Sequence, residues 1–304
     1  MSAIDLHLHT CYSDGIPIPE DVVRKAKETG YKIIAITDHD GTGGIAKARA
    51  EGKRLGIKVI PGIELFSEFE MPDVFSDTLD NTKYEMHILG YGIDPNSKPL
   101  RKRLAEQMEK RNARAHEYIR ILRSQGCDLD YDEIKKSSPC ETVWKTTIAR
   151  TIVKKGMISE FHDAFRGGRY FDSPEIRSIP HENIEAMEAI DLINGAGGKA
   201  FLAHPYQLEY ANRSLDSDEA YLARLEFVAS ALAAAGMTGI EAYYPTHDAK
   251  MTAYILSLAD DLGLRVSRGS DDHGTPSRLK HMGDFAVKED PSRLTWAEEL
   301  AAEY

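Results

Sequence analysis

"DLHLHTCYSDG" at residues 5–15, followed closely by "ITDHDG" at 36–41, decides how the rest of the chain is read. Leu6 and Leu8 alternate with Asp5, His7 and His9, so the first stretch reads as a strand. His7 and His9 are two apart and project from one face of it. Charged and imidazole groups are costly to bury, so their concentration at the start of a chain calls for a chemical cause. Two imidazoles on one face can chelate a single ion. With nearby carboxylates they suit Mn, Zn or Fe better than Mg or Ca.

The same strand-then-helix rhythm continues outward. "IPEDVVRKAKETG" reads as a helix, with Pro19 near its start, acids in its first turn and Gly30 at its end. "KIIAITDH" and "KVIPGIEL" read as the next strands, with "GGIAKARAEGKRLG" as the helix between them. Strands alternating with helices predict a parallel sheet with crossovers. Residues 97–190 break the rhythm with long helical patterns such as "RKRLAEQMEKRNARAHEYIR", and read as a mostly helical insertion. Alternation resumes with the strands "KAFLAHP", "TGIEAYY" and "LRVSRGSDDHG". The expected division is a discontinuous unit of residues 1–96 and 191–304, interrupted by a helical unit of 97–190. The acidic stretch 67–85 is expected to be a surface loop, with a lid as one role for it.

Candidate ligands fall at the strand ends. They are His7 and His9 with Asp14, then Asp38, His39 and Asp40, then Glu64, then His204, then Asp271, Asp272 and His273. A further apolar segment, "EMHILGY", carries His87. In an α/β barrel such ends converge on one face. Alone, each has a bland reading: a rim histidine, a turn aspartate, a surface acid. Six of the 11 histidines sit at or beside these ends, which makes the joint pattern informative. His116, His162, His181 and His281 do not, and are read as ordinary.

Composition bounds the partners. A net charge of −11 argues against extended nucleic acid as a ligand, although a bound cation can locally reverse the sign for an anionic substrate. No run of apolar residues is long enough for a membrane span, and no leader pattern opens the chain. Cys11, Cys127 and Cys140 are widely spaced, with no metal-ligand pair and no disulfide framework, which suits a cytoplasmic setting. The oligomeric state is not legible.

Together, "DLHLHTCYSDG", "ITDHDG", "IPGIEL", "HILGYGID", "LINGAGGKAFLAHPY" and "GSDDHG" resemble the PHP (polymerase and histidinol phosphatase) phosphoesterases, of the stand-alone bacterial type with a helical insertion. The resemblance implies a distorted, TIM-like (β/α)7 barrel holding three divalent transition-metal ions (Mn, Zn or Fe). It assigns the first ion to His7, His9, Glu64 and Asp271, the second to Glu64, His87 and His204, and the third to Asp14, His39 and His273. Glu64 would bridge two ions, and a hydroxide held between metals would attack phosphorus. Asp38 and Asp40 would support histidine ligands. Glu64 and Asp271 would be catalytic. His247 would contact phosphate or protonate the leaving group. Lys145 and Thr147 would contact substrate, standing where relatives carry Arg and His before "IAR". Asp272, where an aromatic is common, and the long acidic stretch also suggest an altered pocket.

The reading that follows is a metal-dependent phosphatase or phosphodiesterase acting on a small phosphate ester: a nucleotide, a sugar phosphate or a cyclic phosphodiester. The alternatives are a 5'-3' exonuclease on short oligonucleotides and a non-catalytic metal-stabilised binding domain. Basic helical runs serve the exonuclease weakly, since such runs usually form a solvated face and few aromatics interleave with them.

Overall fold

The computed structural model describes residues 4–72, 75, 83–207, 218–275 and 281–304. Its centre is an eight-stranded mixed sheet of β1 (Ile4–Leu8), β2 (Ile33–Ile36), β3 (Lys58–Glu70), β4 (Lys83–Tyr91), β5 (Ile184–Glu185), β6 (Lys199–Leu202), β7 (Gly239–Tyr243) and β8 (Arg265–Arg268). Seven follow the order β1-β2-β3-β4-β6-β7-β8, and β5 pairs with the far end of β3. All five residues of β1 are buried, as expected where helices cover both faces of a strand.

The wholly parallel sheet expected from the rhythm is corrected at β4. Pairing is parallel from β1 to β3 and from β6 to β8, but β4 runs antiparallel to both its neighbours. No crossover helix separates β3 from β4 among the described residues, so the chain reverses direction between them. Their register extends from Gly62 opposite Tyr91 to Glu70 opposite Lys83. The two ends of the acidic stretch 67–85, expected as a loop, therefore form hairpin arms, residues 67–70 in β3 and 83–85 in β4. Ser67 and Phe69 are buried while Glu68 and Glu70 face outward, the alternation of a half-covered strand. The rest of the stretch, 73–74 and 76–82, lies outside the described residues.

Helices pack where their apolar stripes require. In α1 (Pro19–Thr29), Val22, Val23 and Ala26 are buried, and Gly30 ends the helix at φ 89°, donating its N–H to the last turn. Helices α2 (Ile45–Leu55), α7 (Ala186–Gly195), α8 (Asp218–Ala234) and α9 (Ala249–Asp261) supply the other crossovers. The C-terminal α10 (Thr295–Ala301) brings Trp296 against Phe201 and Tyr91.

Between β4 and β5 lie α3 (Lys98–Ser124), α4 (Tyr131–Ser137), α5 (Lys145–Lys154) and α6 (Pro174–Arg177). Leu100 and Leu104 of α3 belong to the apolar cluster of the sheet. Tyr118, Ile119 and Leu122, further along the same helix, belong to a second cluster with Ile134, Ile148, Ile152 and Ile176. Each fully buried side chain of this kind contributes roughly 1.5–3 kcal/mol. One long helix thus ties two apolar cores together.

The cysteine expectation also needs correction. Cys11 and Cys140 form a disulfide, with Cα atoms 5.4 Å apart, and Cys127 is free and buried. A sequence separation of 129 between the partners hides the pairing from any spacing rule. No helix of the described residues is long and apolar enough to cross a membrane.

Candidate metal centre and its cavity

The ends of β1 and β8 meet. Asp271 N donates to His7 O at 2.8 Å, and His9 N donates to Asp272 O at 3.1 Å. Gly269 makes the approach possible, because a Cβ there would lie 2.1 Å from the His7 Cβ. Three non-glycine residues of the centre hold positive φ: Asp40 at 46°, His204 at 24° and Asp271 at 55°. Backbone strain of this kind clusters where surrounding structure must aim side chains.

Glu64 sits at the middle, fully buried. Its Oε2 lies 3.1 Å from His7 Nε2, His9 Nε2 and His39 Nδ1. Its Oε1 lies 2.9 Å from His87 Nδ1 and 3.0 Å from His204 Nε2, and those two nitrogens are 3.1 Å apart. Asp271 Oδ1 is 3.2 Å from His9 Nε2, and Asp14 Oδ1 is 3.0 Å from His273 Nε2. Donors about 2.0–2.2 Å from a shared ion are themselves spaced by roughly 3–3.5 Å, so these separations suit ligation.

Three groups could each hold an ion: His7, His9, Glu64 and Asp271; His9, Asp14, His39 and His273; and His39, Glu64 and His87. His7 Nε2, His9 Nε2, Asp14 Oδ1, His39 Nδ1 and Glu64 Oε2 are buried without a hydrogen-bond partner among the described residues. Buried polar atoms are seldom left so, and these converge. The residues therefore fit a metal centre. Electrostatics agree. Burial pushes the Glu64 carboxyl up, but His7, His39 and His87 hold it well below the usual range. Burial would lower His9, yet Asp271 and Glu64 raise it to about 9.

All nine side chains expected as ligands are assembled here. The supporting groups differ from expectation. Asp38 accepts from Thr10 N, Thr10 Oγ1 and Ser13 Oγ, each at 2.7 Å, so it holds the loop that follows His9. Asp40 supports no histidine directly. It pairs with Arg111 and accepts from Phe66 N at 3.1 Å. Asp272 faces away from the pocket, holding Lys25 and the N–H groups of Gly274 and Met282. His247 is fully buried, with Nδ1 3.0 Å from Ala242 O and Nε2 accepting from Tyr206 N at 3.4 Å. Both of its ring nitrogens thus lie within hydrogen-bond reach of backbone groups. Thr147 is buried in α5, and its neighbour Thr146 takes the place on the cavity wall.

Sequence reading passed over Glu241. It is fully buried, lies 3.1 Å from His7 Nδ1 and accepts from His204 N at 2.8 Å. An acid in the middle of the apolar run "GIEAYY" was the available signal. Tyr244 was also missed, and its hydroxyl donates to Asp271 Oδ2 at 2.7 Å, leaving Oδ1 to face the histidines. Glu241→Gln is expected to weaken metal affinity by about 10–100-fold, with activity recovering in excess metal. Unchanged affinity in a metal titration would show that Glu241 does not orient His7.

Beside this cluster lies a cavity of about 370 Å³. Asp14, His87 and His204 form one side, and Arg111, Arg114, Tyr118, Trp144 and Lys145 of the helical segment form another. The Arg111 guanidinium stacks over Trp144 at 3.9 Å and over Phe66 at 5.0 Å. Lys145 Nζ lies 3.2 Å from His181 Nε2. His181, read as ordinary, therefore belongs to the cavity. Burial, with Lys145 and Arg114 nearby, lowers its pKa to about 3, so it is a neutral acceptor.

Comparison with known proteins agrees with this geometry. A family profile described as PHP domain matches residues 5–110. The chain is 30% identical to the 3',5'-nucleoside bisphosphate phosphatase of Chromobacterium violaceum, over 98% of this chain and 96% of that one. The chain belongs to the PHP family. Within it, identity is 28% to the phosphoribosyl 1,2-cyclic phosphate 1,2-diphosphodiesterase of Eggerthella lenta, covering 92% and 97% of the two chains. The 5'-3' exoribonuclease Rnm of Escherichia coli is 34% identical over 66% of this chain and 64% of its own. A solved structure from Bifidobacterium adolescentis, described as a candidate metal-dependent phosphoesterase, superposes with TM-score 0.79 at 25% identity, covering 98% and 96%. This PHP-family chain is a phosphoesterase, a hydrolase of phosphoric esters.

Proposed function

We propose that the enzyme hydrolyses a small phosphorylated metabolite, a nucleotide or sugar phosphate, with cyclic phosphodiesters within its range. The observation that carries this is the cavity. At about 370 Å³ it matches a small molecule, and it opens on the ligand cluster at one end and on cationic and aromatic groups at the other. The names of the relatives from C. violaceum and E. lenta support the same substrate class. The reading includes a TIM-like (β/α)7 barrel, supported by the hydrogen bonds between the β1 and β8 ends. It also takes residues 97–190 as a cap and the setting as cytoplasmic. Its metal assignment is His7, His9, Glu64 and Asp271 for one ion, Glu64, His87 and His204 for a second, and Asp14, His39 and His273 for a third.

Bound divalent ions would neutralise phosphoryl charge and lower the pKa of a water nucleophile. This chain's own residues do the rest. The second side of the cavity receives the leaving group. Trp144 and Tyr118 offer apolar faces, and Arg114 and Lys145 offer charge. A substrate with a second anionic group fits that wall, in line with the bisphosphate named for the relative. A phosphate-release screen of metal-loaded protein against nucleoside bisphosphates, sugar phosphates, cyclic phosphates and short oligonucleotides tests the reading. Release is expected from the small esters. Rates that climb with oligonucleotide length would favour the exonuclease, and no release at all would leave a binding domain.

Lys145 gives a sharper expectation. Burial lowers its pKa to about 8, against the pull of Glu85. Its cation is therefore intact at pH 7 and is lost as pH rises through 8. Affinity for an anionic substrate should weaken above that point, and Lys145→Arg should flatten the decline. Lys145→Ala removes a charged hydrogen bond worth roughly 1.5–3 kcal/mol, seen in kcat/KM for the true substrate. An unaltered pH profile in Lys145→Ala would remove the residue from the substrate's path.

A further inference from the structure

We propose that the Cys11–Cys140 disulfide is a reversible redox latch that holds the substrate-facing wall of the helical segment against the metal-binding loop. Cys11 lies between His9 and Asp14, two of the assembled ligand side chains. Cys140 lies just before Val143, Trp144, Lys145 and Thr146, which line the cavity. The bond thus joins the two sides between which a substrate would sit.

The same seam carries weaker links. Thr142 Oγ1 donates to Cys11 O at 2.8 Å, and Arg150 Nη2 donates to Asp14 O. With these, reduction would loosen the wall without detaching it. Access is one-sided: Cys11 is 1% exposed, whereas Cys140 is partly exposed. Cys127 is buried in the apolar core of the helical segment and takes no part. In a reducing compartment a disulfide is usually transient and redox-sensing.

The exchange balances as follows. A thiolate of a small dithiol attacks Cys140 Sγ, the protein S–S bond breaks, and Cys11 leaves as a thiolate that takes up a proton. The second thiol of the reductant then attacks its own sulfur in the mixed disulfide, freeing Cys140 and leaving the reductant as a cyclic disulfide. Two electrons pass to the protein. Oxidised glutathione reverses the process through a mixed disulfide on Cys140, which the Cys11 thiolate resolves with release of glutathione.

The kinetic part of the test rests on the proposed phosphoesterase activity, whereas the chemical part does not. Denatured protein isolated without reductant should take one alkyl label by mass spectrometry, and three after dithiothreitol. Hydrogen exchange across 138–147 should speed up on reduction. KM for the best small substrate should rise by about tenfold, with metal content unchanged. Cys140→Ser should show the loosened behaviour whether or not reductant is present, and Cys11→Ser provides an independent check. Three reactive thiols both in the isolated protein and after oxidised glutathione would overturn the latch. So would a disulfide whose reduction moves neither exchange nor KM. If no phosphate ester is turned over, labelling and exchange still decide the latch, while the phosphoesterase reading fails separately.

Discussion

Glu64→Gln is expected to lower turnover by at least about a hundredfold, the scale of losing a positioned electrostatic stabiliser. The size follows from what the carboxylate touches. One oxygen faces three imidazoles, of His7, His9 and His39, and the other faces those of His87 and His204. The amide keeps the shape and removes the charge that two ions would share. It also turns one acceptor into a donor aimed at nitrogens that must themselves stay free to ligate. Elemental analysis and circular dichroism of the same sample separate lost ions from a lost fold. Near-normal turnover with full metal occupancy would show that Glu64 bridges nothing.

Chelation should abolish activity, and Mn or Zn should restore it. Supplemented protein should carry about two to three ions, as its mixed imidazole and carboxylate donors suit such metals. Proton linkage gives this expectation a sign. Burial opposes a charged His7, yet Glu64, Glu241 and Asp271 raise its pKa well above the usual value, and His9 stands at about 9. In the metal-free protein at neutral pH both rings hold protons that an incoming ion must displace. Loading should therefore release protons, measurable by calorimetry in buffers of different ionisation enthalpy. Affinity should fall as pH is lowered. Less than one ion per chain after supplementation would defeat the multinuclear assignment.

What could be read from the sequence follows a physical division. Strand and helix periodicities are local, so β1, α1, β2, α2 and the start of β3 were legible, as were the histidines and acids at strand ends. Direction within a sheet is not local. Nothing in "EMHILGY" says that β4 runs against its neighbours, and only the missing crossover before it hints at this. Glu68 and Glu70 made an alternating strand look like an acidic loop. Within "RKRLAEQMEKRNARAHEYIR" every cation looks alike. Arg111 turns inward because Trp144, Phe66 and Asp40 meet it there, which is a tertiary event. The Cys11–Cys140 pair is hidden for the same reason. The surroundings of His247 were not legible, because a histidine after a strand looks the same whether it faces a cavity or its own backbone.

The meeting of the first and last strands has a consequence for biosynthesis. A ribosome releases His7 and His9 first and Asp271 and His273 some 264 positions later. At about 5–20 residues per second that interval is on the order of 10–50 s. Throughout it the nascent chain displays an imidazole pair, joined early by Asp14 and Glu64, without the Asp271 carboxylate that completes the four-donor group. The group of His7, His9, Glu64 and Asp271 is therefore complete only once β8 and the residues after it have been made and have docked beside β1. A truncation between His87 and Asp271 would yield a polypeptide that carries most of the nine donors and still lacks Asp271 and His273.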